Sequence, residues 1–256
     1  MVYRASSAVV RAGAVRILVS VRNISEFVSI LPIGVDVIDF KEPTGALSPT
    51  RPSIWQTAAE LASDRYGAGD GPALSIAMGE LVDDRVLDLA DRCPPAVSFA
   101  KAGPAGIDDP VQLQTRWDRL RSRLPTTTRL VAVAYADHAA AGCPPPATIL
   151  QSAISAGLTM LLVDTFDKRD GGLTNHQTAD QLRALSGAAA QHNIRLTLAG
   201  SLTADAACGL MQNIRPWAVG FRGAACGGDR RNEIDPRRVR QLCELPATNV
   251  VAGPPT

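Results

Sequence analysis

Eight short runs of β-branched or apolar residues recur along this chain, at 16–21, 35–40, 73–78, 96–99, 130–134, 160–163, 195–198 and 217–221. Turn-forming residues bound each run, as they bound strands. Five of the longer segments between them (55–66, 111–124, 149–156, 178–192 and 203–212) carry apolar residues three and four apart, the spacing of a helix with one buried stripe. Strands alternating with helices imply a parallel sheet, because a chain re-enters a sheet in the same direction only through a crossover. Eight such units with none left over predict closure into a single-domain (β/α)8 TIM barrel of the α/β class. The chain has 256 residues, close to the ~250 such a barrel commonly uses.

The barrel is expected over residues 16–245. Residues 1–15 read as a poorly ordered leader without a signal peptide's continuous apolar stretch, and the proline-containing stretch 246–256 reads as a tail. Proline and glycine clusters at 43–52, 103–110 and 142–146 mark loops. The stretch GAGDG at 67–71 precedes a strand instead of following one, so it is a turn and not a nucleotide-binding loop.

Apolar residues make up 46% of the chain and the formal net charge is +1, so there is no electrostatic bias toward nucleic acid or anionic membrane. No apolar run approaches the roughly 18 residues of a membrane span. Cys93, Cys143, Cys208, Cys226 and Cys243 are odd in number and widely spaced, with no CxxC pair, and read as reduced thiols of a cytoplasmic protein. His138, His176 and His192 show no ligand spacing, so no metal site is expected.

Lysine usage points to chemistry. Of 26 basic residues only Lys41, Lys101 and Lys168 are lysines. Arginine and lysine are nearly interchangeable on a solvated surface, but only lysine can release its proton and act as an amine nucleophile or proton carrier. Each of the three falls at or just after the C-terminal end of a strand run, the second, fourth and sixth, where the loops of this fold build its active site. Alternate strands feed one layer of a barrel, so the three side chains can converge. Asp39, two residues before Lys41, shares its strand face, and Asp164 ends the sixth run four residues before Lys168. A simple ion pair at a strand end would account for Asp39 and Lys41 alone; the whole constellation fits a catalytic cluster better. Carboxylates raise a lysine pKa, whereas clustered ammonium groups and burial lower it. A reference lysine near pKa 10.4 costs about 4.6 kcal/mol to deprotonate at pH 7, so the balance decides whether a nucleophile is available.

The seventh and eighth strand ends read as a phosphate site. Gly200 and Ser201 precede a helical stretch that Ser201 or Thr203 could cap, and Arg222, Gly223 and Ala224 follow the eighth run. Small residues let backbone N–H groups approach an anion, loops seven and eight are the usual phosphate site of this barrel, and Arg222 adds fixed positive charge.

Together, DFKEP at 39–43, SFAKAG at 98–103, VAVAYAD at 131–137, VDTFDK at 163–168, LAGS at 198–201 and VGFRGAACGGDR at 219–230 resemble the (5-formylfuran-3-yl)methyl phosphate synthase family, in order and from about residue 17 to 235. The resemblance implies condensation of two glyceraldehyde 3-phosphate molecules into a furan aldehyde phosphate, with loss of water and one phosphate, on the route to methanofuran-type cofactors. It implies no organic cofactor or metal. Lys41 matches the family's Schiff-base lysine and Lys101 its proton-transferring lysine; Asp39, Asp164 and Lys168 match the assisting acid, base and second-amine positions. The chain departs from the pattern in the proline-rich stretch 44–52 and in GPAG after Lys101. The expected partner is thus a triose phosphate, with no nucleic acid or membrane, and self-association is left open. Two other readings fit fold and charge: a class I aldolase acting on another phosphorylated aldehyde, and a non-catalytic sugar-phosphate-binding barrel, which would tolerate arginine in place of lysine.

Overall fold

The computed structural model describes residues 14–67 and 70–246. The expected leader up to residue 13, the tail from 247 and residues 68–69 of the expected turn lie outside the described residues. Eight parallel strands close into a barrel in sequence order: β1 (Arg16–Val21), β2 (Val37–Phe40), β3 (Ala73–Glu80), β4 (Val97–Gly103), β5 (Arg129–Tyr135), β6 (Met160–Asp164), β7 (Arg195–Leu198) and β8 (Ala218–Phe221). The ring is completed by β8 pairing β1, with Ile17 opposite Val219. The predicted (β/α)8 class is therefore correct.

Period-two alternation sorts the strands into two buried layers. Ile17, Val19, Ile38, Phe40, Leu161, Val163, Leu196, Leu198 and Val219 point outward and pack under the helices. Leu18, Val37, Phe99, Val131, Met160, Leu162 and Ala199 fill the barrel interior. At the base of the interior Phe99 meets Trp217 edge to face at 5.6 Å. The guanidinium groups of Arg16 and Arg195 lie against the same indole at 4.9 and 5.9 Å, within cation–π range.

Among the described residues the outer ring comprises α1 (Ile24–Ile30), α2 (Pro52–Tyr66), α3 (Arg85–Ala90), α4 (Pro110–Arg121), α5 (His138–Ala141), α6 (Pro146–Ser155), α7 (Leu173–His176), α8 (Ala179–Gln191), α9 (Ala204–Asn213) and α10 (Pro236–Cys243). Four of them begin at proline, whose missing N–H is one the first turn leaves unpaired anyway. Three of the proline clusters that mark loops thus also start helices. Asn23, Asp109, Thr178, Thr203 and Asp235 supply side-chain caps. The cap of α9 is Thr203; Ser201 instead stands exposed in the left-handed region, at φ 51°.

Two strands run two or more residues past the C-terminal end expected from the sequence. The fourth run was expected to stop at residue 99, but β4 continues through Lys101 to Gly103, because Ala100 and Lys101 pair with both β3 and β5. Tertiary pairing overrides the weak strand preference of Ala-Lys-Ala-Gly. The third run likewise extends two residues further, to Glu80.

Candidate active site

At the C-terminal ends of the strands a cavity of about 740 Å³ opens, lined by Asp39, Lys41, Lys101, Asp164 and Lys168 together with Gly200, Ser201, Arg222, Gly223 and Ala224. The structure thus brings every residue singled out from the sequence to one cavity at one face of the barrel.

Each charged side chain is placed by strand register. Asp39 stands opposite Ser20 of β1 and Ser75 of β3, facing inward and fully buried. It accepts from Ser20 Oγ at 3.0 Å and from Lys101 Nζ at 2.5 Å. Lys41 follows β2 by one residue, its backbone N–H still bound to the Val21 carbonyl at 3.0 Å, which continues the ladder and aims the side chain inward. Asp164, last in β6 and also buried, accepts from Lys41 Nζ at 3.3 Å, Lys168 Nζ at 2.5 Å and the Thr165 N–H at 2.8 Å. Lys168 also donates to the Thr165 carbonyl and, at 2.7 Å, to its hydroxyl, so the loop after β6 curls back over its own strand end.

Asp164 therefore carries two ammonium groups and Asp39 one. Burial works against ionisation of Asp164, yet the Lys168 and Lys41 charges and the hydrogen bonds from Lys168 and Thr165 hold it well below the usual carboxylate range. Burial lowers both Lys101 and Lys168 against the pull of their carboxylates, with the Lys41 charge adding to the effect; Lys168 comes down to about 8. For these two amines, burial and like charge outweigh the carboxylates. Lys168 can thus lose or regain a proton near neutral pH, the requirement for general acid and base work.

The rim is built differently. Gly200 has φ +106°, and a Cβ there would sit 3.1 Å from the Thr165 nitrogen, so glycine is favoured on both counts. Its carbonyl accepts from the Leu173 N–H at 2.9 Å, tying the loop after β7 to the segment after β6. On β8, a Cβ at Gly220 would lie 3.0 Å from that of Ala199, so glycine lets β7 and β8 approach beneath the cavity wall.

Arg222 needs correction. The sequence places it as a phosphate contact, but all five of its N–H groups are already taken. It pairs with both carboxylate oxygens of buried Glu26, at 2.5 and 3.0 Å, and donates to the carbonyls of Ser20, Arg230 and Asn232. The guanidinium braces α1 and β1 to the segment after β8 and has no donor left for an anion. A buried guanidinium with a free donor beside the cavity is that of Arg230, which sequence reasoning passed over although it stands in the quoted GGDR segment. Glu80 was also missed: it accepts from Tyr135 Oη at 2.7 Å and from the Ala105 N–H at 3.1 Å, and burial raises its carboxyl. A Cβ at Gly103 would overlap both Glu80 and Tyr135, so this glycine makes room for their contact.

Among the described residues no group of three His, Cys, Asp or Glu side chains could hold a metal ion, and no helix is long and apolar enough to cross a membrane. All five cysteines are free.

A closed eight-stranded parallel barrel with buried lysines and carboxylates at the C-terminal mouth defines a TIM-barrel protein with an enzyme-like site. Solved structures share the fold: phosphoribosyl anthranilate isomerase from Thermotoga maritima superposes with a TM-score of 0.57 at 14% identity, over 90% of this chain and 98% of the other. The corresponding isomerase of Pyrococcus furiosus gives 0.56 at 12% identity, over 90% and 98%. At such identities the likeness concerns architecture alone. The family is given by sequence: residues 17–243 match 4-HFC-P synthase, and the chain belongs to that enzyme family. It is 29% identical over 241 residues to the (5-formylfuran-3-yl)methyl phosphate synthase of Methanothermobacter thermautotrophicus, and 28% identical over 236 residues to that of Methanopyrus kandleri. Both alignments cover 90% of this chain and 98% of the relative.

Proposed function

We propose that the protein condenses two molecules of glyceraldehyde 3-phosphate into (5-formylfuran-3-yl)methyl phosphate, releasing one phosphate and two waters, through a lysine Schiff base. The observation that carries this reading is the convergence of three lysines and two aspartates, far apart in sequence, on the floor of one cavity in a chain of this family.

Lys41 is the nucleophile in this reading because it is the least committed amine. Its one recorded partner, Asp164, lies at 3.3 Å, whereas Lys101 is held at 2.5 Å on Asp39 and Lys168 has three acceptors. The neutral amine adds to the C1 aldehyde, and loss of water from the carbinolamine leaves an imine. The imine withdraws electrons and acidifies the C2 proton; once a base removes it, the phosphate on C3 departs with its bonding electrons. Lys168, with its pKa near 8, and Lys101, in contact with Asp39, supply and accept the protons that the later carbon–carbon bond formation and dehydration need. Asp164 steadies the ammonium and iminium charges that come and go at Lys41 and Lys168.

Incubation with glyceraldehyde 3-phosphate alone is expected to give an ultraviolet-absorbing furan aldehyde phosphate and free phosphate. A reversible aldol without phosphate release would identify a class I aldolase instead. Borohydride added during turnover should leave a reduced adduct on Lys41, located by peptide mass spectrometry. Lys41→Arg keeps charge and volume but cannot form the imine, so turnover should fall by at least about 10³-fold with the circular dichroism unchanged. An active Lys41→Arg enzyme, or adducts on Lys168 only, would move the nucleophile elsewhere.

A further inference from the structure

Arg222 and Arg230 lie eight residues apart after β8, and the barrel uses them in opposite ways. Arg222 is saturated and faces a buried carboxylate. Arg230 has one recorded partner among the described residues, the Gly45 carbonyl, to which Nη2 donates at 2.8 Å. Its Nε is buried and unpartnered. No carboxylate lies within salt-bridge distance of it among the described residues, although Arg231 beside it is paired with Asp229 at 2.8 Å.

Its position gives that free donor a direction. Gly45 belongs to the segment between β2 and α2, and β1 lies between β8 and β2 in the barrel, so the side chain spans from the segment after β8 to the segment after the strand that carries Asp39. It lines the same cavity as Lys41, Asp164 and Lys168, with the small rim residues Gly200 and Gly223 beside it. Its charge helps to depress Lys168, and burial works against its own ionisation more than the Asp164 charge favours it. An oxyanion presenting several acceptor oxygens would satisfy the buried N–H, neutralise the guanidinium and fit the room left by the glycines.

We propose that Arg230 is the anion anchor of this cavity. Its Nε and unused N–H groups take oxygens of a substrate phosphate while Nη2 stays on the Gly45 carbonyl, so that a bound phosphate links the segments after β8 and β2. The proposal rests on the reading above for the phosphorylated identity of the substrate. It also implies that an anion at Arg230 offsets the positive charge acting on Lys168 and favours the ammonium form when substrate is bound.

The test uses the full chain and inorganic phosphate as probe, so it requires no turnover. Titration calorimetry should show that Arg230→Gln weakens phosphate binding at least tenfold and raises KM for glyceraldehyde 3-phosphate by a similar factor. Borohydride trapping of unphosphorylated glyceraldehyde should stay within twofold of the parent. Arg230→Lys keeps the charge without the planar fork and should recover part of the affinity; if the glutamine variant does not fold, a threefold or larger loss in Arg230→Lys carries the test. Phosphate affinity within twofold of the parent in the folded variants would overturn the proposal, as would a parent chain that binds no phosphate. Equal loss of glyceraldehyde trapping would also overturn it, because the effect of Arg230 would then not depend on a substrate phosphate. If the parent makes no furan product and Arg230→Gln still loses phosphate, the proposed reaction fails while the anchor stands.

Discussion

On the floor of the cavity, side chains from β2, β4 and β6 hold one another through ion pairs that bridge as many as 123 residues of sequence. On the rim, after β7 and β8, the small residues Gly200, Ser201, Gly223 and Ala224 leave the main chain open beside the Arg230 side chain, with positive φ at Gly200 and Ser201. A floor of this kind can shift pKa values and move protons, because charges in a poorly hydrated site act strongly on one another. The rim can only bind, and its selectivity depends on how closely the main chain may be approached. The two halves should therefore fail in different ways.

The largest effect is expected at Asp164, which two lysines share. Asp164→Asn keeps the shape but leaves Lys41 and Lys168 without their anion, so kcat/KM should fall by roughly 10³-fold. Breaking this buried pairing should also cost about 3 kcal/mol of stability, read from urea unfolding. A variant that loses affinity while keeping kcat would show that the floor binds and does not catalyse. Gly200→Ala should do less and do it to binding: positive φ and the close Thr165 nitrogen cost about 1–3 kcal/mol, and KM should rise about tenfold with little change in kcat. A drop in kcat alone would erase the contrast between rim and floor.

The smallest expected effect is a slope with pH. Burial first, with help from the Lys41 charge, brings Lys168 from 10.5 down to about 8. Between those pH values the unfolded chain holds more protons on this lysine than the folded chain does, so the Lys168 contribution to stability rises with pH across the window. Below pH 8 the amine is protonated in both states and the penalty for burying its charge is fully present. The unfolding free energy of the parent, minus that of Lys168→Met, should therefore become more favourable from pH 8 to 10. A flat difference would mean that Lys168 is not depressed.

The strands were legible because each is a short apolar run between turn residues; β1 and β7 have the ends the pattern predicts. α1, α3, α5, α7 and α10 were not, for reasons of size and composition. The first four have four to seven residues, too short for a helical repeat to stand out. In α10 only Val239 and Leu242 are buried, on a helix otherwise rich in arginine. The cluster on the floor was legible because lysine is scarce in this chain and because the fold says where strand ends meet. Which cation is free to take an anion was not. Arg222 is consumed by Glu26, 196 residues away, and nothing local to either residue announces the pairing.

That pairing also bears on the order in which the barrel can be completed. Glu26 enters a buried position near the start of the chain, and of its two arginine partners Arg22 is four residues away while Arg222 arrives only after the eighth strand. During synthesis the early strands must wait with a carboxylate only half neutralised and with the β1 edge still open to water. Sealing that seam is thus a late, long-range event, and the ion pair that marks it acts as a latch: chains cut short of the eighth strand retain all three lysines but leave β1 without its neighbour.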